Sequence, residues 1–410
     1  MAESAAAAQT EVTGPAGAAA AAVRPQPATP STARAINDRA ALDLFASRGP
    51  QTALDLAEAT GLAKPTVADL LARLQERGLV DQIGEVKTDK RGPNAKLYAL
   101  SERRACVAGI DARAAAVYMS LVGLAGQPLG QATVEVPSGL REDEVLDLLA
   151  DTLLALAAQV PAPLTAITVG MPGLVDPATG QIGQHKMSPR WHTRLLEALR
   201  LRTGLDPAAV SLENEVNLAA IAEQRVLARQ GVDTFALLWL GESIGAAVVL
   251  DGKLRRGASG GAGEIYSLPI PVGAPEPAAE SDCGVLPVAA LAPVRPPERG
   301  GGYRLGELTR AASLAELGAS LPPAERLPAI ADRVVYGVAA FVLTLDPGTV
   351  VLGGENGAAG GAQLAALVEE RLPEVSPVAA RVLATAVPGN AILAGAVAIA
   401  LDRARAELWP

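Results

Sequence analysis

At 410 residues, the chain is long enough to hold two or three domains and to bury a large core. Half of its residues are hydrophobic, but no run reaches the roughly 18 apolar residues that a membrane-spanning helix needs, which argues against a membrane protein. The net charge of −9 argues against general polyanion binding, and the two cysteines, Cys106 and Cys283, suit a reducing cytoplasm and leave no Cys/His cluster for a structural zinc.

The N-terminal quarter differs from the rest in composition and charge. Residues 1–33 are mainly Ala, Pro, Thr and Gly, so they bury too little surface to offset the entropy of ordering, and we expect a disordered tail. Residues 34–104 carry 12 basic and 10 acidic side chains, which makes this segment slightly positive on a chain that is otherwise negative. A small basic segment on an acidic body is typical of a DNA-binding module attached to a larger sensor.

Three short helices are predicted in this segment. Gly49-Pro50 ends the first, and Thr52 is the expected N-cap of the second. The third begins with proline in its first turn and has apolar residues at a spacing of three to four, which buries one face. The predicted ranges are 34–48, 53–59 and 64–77. Two helices joined by a short glycine-containing turn are typical of a helix-turn-helix, whose second helix enters the major groove of DNA.

A basic hairpin is predicted after the third helix. Strands at 79–83 and 96–100 flank a turn around Gly92-Pro93-Asn94, and the cations of this turn are placed where a wing meets phosphate or the minor groove. The candidate DNA contacts are Lys64, Thr66 and Arg73 from the third helix, and Arg91 and Lys96 from the wing. Three amphipathic helices and a hairpin are also compatible with a protein-docking domain, which stays the alternative.

From Cys106 onward, strand and helix signals alternate. Strands are predicted at 105–110 and 116–124, joined at Asp111, and a long Leu/Ala helix at 142–159; two such halves predict a two-lobed α/β fold with a cleft. The stretch 240–270 contains two strands, then a glycine-dense loop at 257–263 and Glu264. Because glycine permits close backbone approach, a phosphate or a sugar is expected there.

Several motifs, in order, resemble those of the ROK family of repressors and sugar kinases. They are GMPGLVD from Gly170, SLENEVNLAAIAEQR from Ser211, GGAGEI from Gly260 and LDPGTVVLGGENG from Leu345. The resemblance implies an N-terminal winged helix-turn-helix, expected at 34–102, followed by a two-lobed actin/sugar-kinase-like (ribonuclease H-like) domain. Its lobes are expected at 103–230, completed by a C-terminal helix at 389–406, and at 231–388.

Four departures from the kinase pattern argue against catalysis. The family's phosphate-binding D-x-G-G-T run is Asp111-Ala112-Arg113-Ala114-Ala115 here, and the second phosphate loop contains Glu242, whose charge would repel a triphosphate. Glu215 stands where the resemblance places the aspartate base, which displaces the carboxylate by about 1 Å. The zinc element is reduced to Ser281-Asp282-Cys283-Gly284, and its histidine partner is replaced in Tyr266-Ser267, so we expect no metal and no cofactor.

The resemblance further implies that Asn214, Glu215 and Glu264 are candidate sugar-binding residues. The alternative is that Glu264 caps or pairs within its own loop and that Asn214 satisfies a turn of backbone. We therefore expect a cytoplasmic transcriptional regulator, not an enzyme, that binds a double-stranded DNA operator as a homodimer or tetramer and has a carbohydrate as candidate effector. It is not expected to contact a membrane. The alternative function is an ATP-dependent hexose kinase.

Overall fold

The computed structural model describes residues 30–87, 94–183, 189–270, 303–309 and 311–410. The first module contains three helices and a three-stranded sheet of order β1-β3-β2. Its elements are α1 (Pro30–Arg48), β1 (Gln51–Thr52), α2 (Ala53–Thr60), α3 (Lys64–Glu76), β2 (Val80–Val86) and β3 (Ala95–Leu100). The predicted winged helix-turn-helix followed by a two-lobed α/β domain is confirmed. The first helix begins earlier and the first wing strand ends later than predicted.

Local sequence explains the short turn between α2 and α3. Thr52 and Asp55 form a capping box at the start of α2, with the Thr52 N–H donating to Oδ2 of Asp55 at 2.8 Å. Gly61 ends α2 in the left-handed region at φ 71°, where a residue without Cβ is favoured. Pro65 then stands in the first turn of α3, where its missing N–H costs no helical hydrogen bond. These two caps fix the short turn of the helix-turn-helix.

The first lobe is built on a five-stranded sheet of order β6-β5-β4-β7-β8. Three antiparallel strands form one side, and β7 and β8 add to β4 in parallel. Its elements are β4 (Cys106–Ala112), β5 (Ala116–Gly123), β6 (Pro128–Glu135), α4 (Glu142–Ala157), β7 (Leu164–Met171), α5 (His192–Thr203), β8 (Val210–Asn214) and α6 (Glu215–Leu227). Asp111 was predicted to join two strands, and this was wrong: it lies inside β4, and the turn is formed by residues 113–115.

The second lobe repeats this arrangement. Its five-stranded sheet has the order β11-β10-β9-β14-β15, again with three antiparallel strands followed by two parallel ones. Its elements are β9 (Phe235–Leu240), β10 (Ile244–Leu250), β11 (Lys253–Arg255), β12 (Pro269–Ile270), β13 (Tyr303–Arg304), α7 (Leu305–Thr309), α8 (Ala311–Ser320), α9 (Pro323–Leu345), β14 (Thr349–Gly353), α10 (Gly354–Val375) and β15 (Arg381–Ala384). The β4–β5 turn and the β9–β10 turn are therefore equivalent positions in the two lobes.

The last helix, α11 (Ala391–Leu408), returns to the first lobe and packs on β4, β7 and α6. Gly395 lets α11 approach α6 closely, since a Cβ there would collide with the carbonyl of Leu218. The far end of α11 enters the core of the first module: Leu401 and Trp409 belong to the same apolar cluster as Phe45 and Leu74. The helix-turn-helix and the first lobe are thus joined by one continuous core rather than by a tether alone.

One helix, α9, has the length and the apolar composition that would suit a membrane span. Half of the relevant window is buried inside the protein, where Val334, Val338 and Phe341 pack in the core of the second lobe. Packing against β9 and α10 accounts for its hydrophobicity.

Candidate nucleic-acid interface and inter-lobe cleft

The N-terminal end of α3 presents polar side chains to solvent. Val67, Leu70, Leu71 and Leu74 bury the opposite face of the helix, which leaves Lys64 and Thr66 exposed at its first turn. A lysine and a threonine hydroxyl at this position supply donors for phosphate or base edges. Asp69 is also exposed on this face, which limits how closely its turn could approach phosphate.

Arg73 has a different setting from the other predicted DNA contacts. Its Nη2 donates to Oδ1 of Asp38 at 2.5 Å, and this carboxylate is buried in α1. The hydrogen bond to Asp38 is the main reason that the pKa of Arg73 is raised. The guanidinium therefore neutralises a buried charge and clamps α3 to α1, while its side chain stays 33% exposed.

The wing is a twisted hairpin of β2 and β3 with an irregularity at Ile83. Lys96 is exposed, but it stands directly opposite Glu85 in the antiparallel register, and an opposite charge at that spacing offsets part of its field. Arg91, the other predicted wing contact, lies outside the described residues, as does the reduced zinc element with Cys283. Within the described ranges, no group of three or more His, Cys, Asp or Glu side chains is placed to hold a metal.

One half of the cleft is occupied by a chain of charged groups. Arg113, at the end of β4, donates from Nε to Oδ2 of Asp111 at 2.9 Å and from Nη1 to Oε1 of Glu355 at 2.6 Å. Asn390, the N-cap of α11, donates to the same Oδ2 of Asp111 at 2.8 Å. Burial raises the pKa of Asp111, whereas Arg113 and Asn390 lower it, and its Oδ1 has no hydrogen-bond partner in the described part of the chain.

Glu355 belongs to the second lobe, in the first turn of α10, where the positive end of a helix favours an anion. Its other oxygen, Oε2, lies beside Gly241 in the β9–β10 turn, 2.8 Å from where a Cβ would stand. Asn356 donates to the Gly241 carbonyl at 3.4 Å and holds this turn against α10. A carboxylate of the protein itself therefore lies against the β9–β10 turn, the counterpart of the second phosphate loop.

The other half of the cleft is formed around Asn214. Its side-chain oxygen accepts from the N–H groups of Val216 and Asn217 at 2.8 and 3.1 Å, which caps α6. Its amide nitrogen donates to the Gly173 carbonyl at 3.0 Å and to Oε2 of Glu215 at 2.9 Å. Asn214 thus caps α6 and ties it to the Gly173 loop, and the same contacts fix Glu215 at the first turn of α6.

Glu215 and Glu264 are brought close enough to influence each other electrostatically. The pKa of Glu215 is raised to about 7, chiefly by burial; the charges of Glu264 and Asp111 add to the rise, and a backbone hydrogen bond and Arg113 oppose it. Glu264 is exposed on the glycine loop, which packs against both lobes: Gly260 (φ 81°) abuts the Val175 carbonyl and Gly263 (φ 93°) abuts that of Ala246. Two neighbouring carboxyl groups beside the Asn214 amide are a set that suits hydroxyl-rich ligands.

Sequence reasoning missed two polar networks that connect distant segments. Glu213, which is buried, accepts from Nε of Arg256 at 2.7 Å and from Asn217 at 2.9 Å, and so links β8 to the glycine loop. Glu355 and Asn390 were also missed as partners of Asp111 and Arg113. The acidic residue that follows the glycines of the β14 motif was the available signal for Glu355, because an anion is expected at a helix N-terminus.

Two segments of the chain match known families. Residues 107–285 match the ROK family, and residues 40–84 match the IclR helix-turn-helix domain.

Relatives include both regulators and kinases. The xylose repressor of Caldicellulosiruptor bescii is 27% identical over 209 residues, which are 50% of this chain and 51% of the repressor. The beta-glucoside kinase of Listeria monocytogenes is 32% identical over 160 residues, which are 39% of this chain and 51% of the kinase. The chain thus spans about half the length of these curated relatives.

A crystal structure of a ROK family transcriptional regulator, a homologue of the Escherichia coli Mlc protein, superposes with a TM-score of 0.60 at 19% identity. The superposition covers 90% of this chain and 99% of that one, so the likeness includes both the first module and the two lobes. At this identity it establishes the fold alone.

Proposed function

Since this chain joins an IclR-type helix-turn-helix to a ROK family domain, we propose that it is a DNA-binding transcriptional regulator of carbohydrate-related genes. The observation that carries the proposal is the exposed first turn of α3, with Lys64 and Thr66, on a helix whose opposite face is fully buried. In a helix-turn-helix that turn meets the base edges, while wing cations such as Lys96 and Arg91 meet the backbone. Arg73 acts within the module, where it holds α3 to α1.

The cleft would serve as the sensor. Asn214, Glu215 and Glu264 supply one fixed amide and two carboxyl groups, one of which is neutral for part of the physiological pH range. Such a set donates to and accepts from the hydroxyl groups of a carbohydrate effector. A ligand that binds one arrangement of the lobes better than another shifts the balance between them, and with it the position of the attached helix-turn-helix.

The protein would act in the cytoplasm as a homodimer or tetramer. A two-fold assembly places two copies of α3 on a palindromic operator, about one helical turn of DNA apart. Repression follows if the bound assembly covers a promoter.

The test is DNA binding by the full-length protein. Genomic fragments selected by the purified chain supply the site, and fluorescence anisotropy at several salt concentrations measures its affinity. We expect Lys64→Ala to weaken binding at least about tenfold and to reduce the salt slope by about one unit, because one phosphate or base contact with a cation is lost.

The matched control is Arg229→Ala, which removes an exposed cation that belongs to the body of the protein and not to α3 or the wing. It should leave both the affinity and the slope unchanged. If no fragment is selected, or if Lys64→Ala and Arg229→Ala behave alike, the proposal fails.

A hexose kinase is the second candidate, favoured by the likeness to a beta-glucoside kinase and by the raised pKa of Glu215, which suits a general base. Arg113 and Glu355 argue against it, since they bind each other beside the β9–β10 turn, where a nucleotide phosphate would be expected. ATP-dependent release of ADP with any member of a hexose and β-glucoside panel would establish the kinase. Absence of release across the panel would remove it.

A further inference from the structure

One of the contacts between the two lobes is made by an arginine. Arg113 belongs to the β4–β5 turn of the first lobe and Glu355 to the first turn of α10 in the second, 242 residues apart in sequence. The contact is short, at 2.6 Å, and the guanidinium is held from behind by Asp111. Arg113 is therefore not a mobile surface side chain, because its position is fixed by a carboxylate that is 1% exposed.

The contact also joins the turns that are equivalent in the two lobes. Arg113 lies in the β4–β5 turn, and Glu355 rests on Gly241 of the β9–β10 turn. In a fold whose lobes move relative to each other, these turns approach or separate as the cleft closes or opens. A hydrogen-bonded ion pair between them stabilises one degree of closure without a bound phosphate group.

We propose that the Asp111–Arg113–Glu355 chain is an internal latch, which holds the lobes closed in place of a nucleotide and whose state is transmitted along α11 to the recognition helix. The transmission part rests on the proposed DNA-binding function. The latch part does not.

The route for transmission is a continuous set of contacts. Asn390, which donates to Asp111, is also the N-cap of α11 and accepts from the N–H of Leu393 at 2.9 Å. At the other end of the same helix, the Leu408 carbonyl accepts from Nη2 of Arg77 at 3.3 Å, and Arg77 is the C-cap of α3. A helix packed along its length moves as a rigid element, so a shift at Asn390 reaches α3.

The C-terminal end of α11 is bonded to the first lobe and packed into the first module. Arg405 donates twice to the Leu124 carbonyl, at 2.7 and 3.2 Å, and its guanidinium lies over the ring of Trp409 at 5.5 Å. Trp409 is buried in the core that α11 shares with the helix-turn-helix. The C-terminal end of α11 and the first module are therefore held in one core.

The latch is tested by a double-mutant cycle on the full-length protein, with Arg113→Ala, Glu355→Ala and the double variant. Hydrogen–deuterium exchange is measured at the start of α10 and at the β9–β10 turn. Each single variant should speed exchange there by about three- to tenfold. The double variant should exchange no faster than Arg113→Ala, because both changes remove the same Arg113–Glu355 contact.

Arg194→Ala is the matched control. Arg194 pairs with Asp143 at 2.8 Å, a bridge of similar length that joins α4 to α5 inside one lobe. It should leave exchange at α10 unchanged. Additive effects in the cycle, or equal effects of Arg194→Ala, would overturn the latch whatever the protein binds.

Transmission is tested by the affinity for the selected DNA fragment. We expect Arg113→Ala and Glu355→Ala to change the dissociation constant in the same direction by about fivefold, within the usual range of coupling between two sites. If the wild type binds DNA and both variants bind it with the same affinity, transmission is refuted but the latch is not. Failure of the wild type to bind DNA would instead count against the proposed function, and the exchange result would still decide the latch.

Discussion

The two halves of the cleft are built from the same elements but differ in what fills them. In one half, Glu215 stands in the first turn of a helix capped by Asn214, and Glu264 lies on the glycine loop, close enough to raise the pKa of Glu215. In the other, a helix capped by Asn390 presents nothing, because Asp111, Arg113 and Glu355 bind one another. The backbone frame of a fold can therefore persist while a few side chains convert one ligand subsite into an internal contact.

The largest effect is expected when Arg113 is removed from the filled half of the cleft. Arg113→Ala leaves Asp111 buried with Asn390 as its remaining polar partner, and we expect a loss of about 3 kcal/mol in the free energy of unfolding. Glu355→Ala removes a carboxylate that is 54% exposed, so its cost should stay within about 1 kcal/mol. Chemical denaturation at pH 7 measures both.

A second substitution checks the reason for the larger effect. Asp111→Asn in the Arg113→Ala background removes the unpaired charge and should recover part of the lost stability. Equal costs for Arg113→Ala and Glu355→Ala would show that the buried carboxylate is not what the arginine compensates.

The two asparagine caps give the next prediction. Asn214→Ala and Asn390→Ala each remove an N-cap hydrogen bond, and each should lower the free energy of unfolding by about 1–2 kcal/mol. Only Asn214→Ala should also abolish the response to a carbohydrate, since Asn390 faces the filled half. Isothermal titration with a sugar panel distinguishes the two, and loss of binding in both variants would contradict the division of the cleft.

Glu215 predicts a pH dependence that is confined to the half of the cleft around Asn214. Its pKa is about 7 in the folded protein and ordinarily about 4.5, so the folded state holds the extra proton between these values. Titration of Glu215 therefore lowers the free energy of unfolding as pH rises from about 4.5 to 7. Glu215→Gln should flatten that part of the Tm profile and raise the Tm at pH 8 relative to wild type. Glu264→Gln, at an exposed position, should change the profile much less.

The smallest expected effect concerns nucleotide. Because the Glu355 carboxylate lies against Gly241 of the β9–β10 turn, millimolar magnesium-ATP should shift the Tm by less than about 1 °C. A saturable rise in Tm would show that the filled half still binds a nucleotide.

Local signals in the sequence predicted much of the fold. Thr52 and Gly61 marked the limits of α2, Pro65 marked the start of α3, and the apolar spacing around Leu70 defined its buried face. These features depend on neighbours within a few residues, so a single sequence contains them.

Contacts between distant segments could not be predicted in this way. Arg73 was assigned to DNA because it is a cation on the recognition helix, but its partner Asp38 lies 35 residues earlier on another helix. Arg113 was noted only as the loss of a glycine, since nothing in the sequence places it beside Glu355. Asn214 likewise donates to the Gly173 carbonyl, which lies in a separate loop 41 residues earlier.

The shared core of α11 and the first module has a consequence for biosynthesis. Arg77 and Leu408 are 331 residues apart, so the ribosome completes α1–α3 long before the helix that covers their apolar side is made. Until then, Phe45, Leu74 and Leu79 lack Leu401 and Trp409 as neighbours. A nascent chain therefore carries a first module whose core is incomplete. A product truncated before α11 should be degraded by proteases rather than compete for DNA.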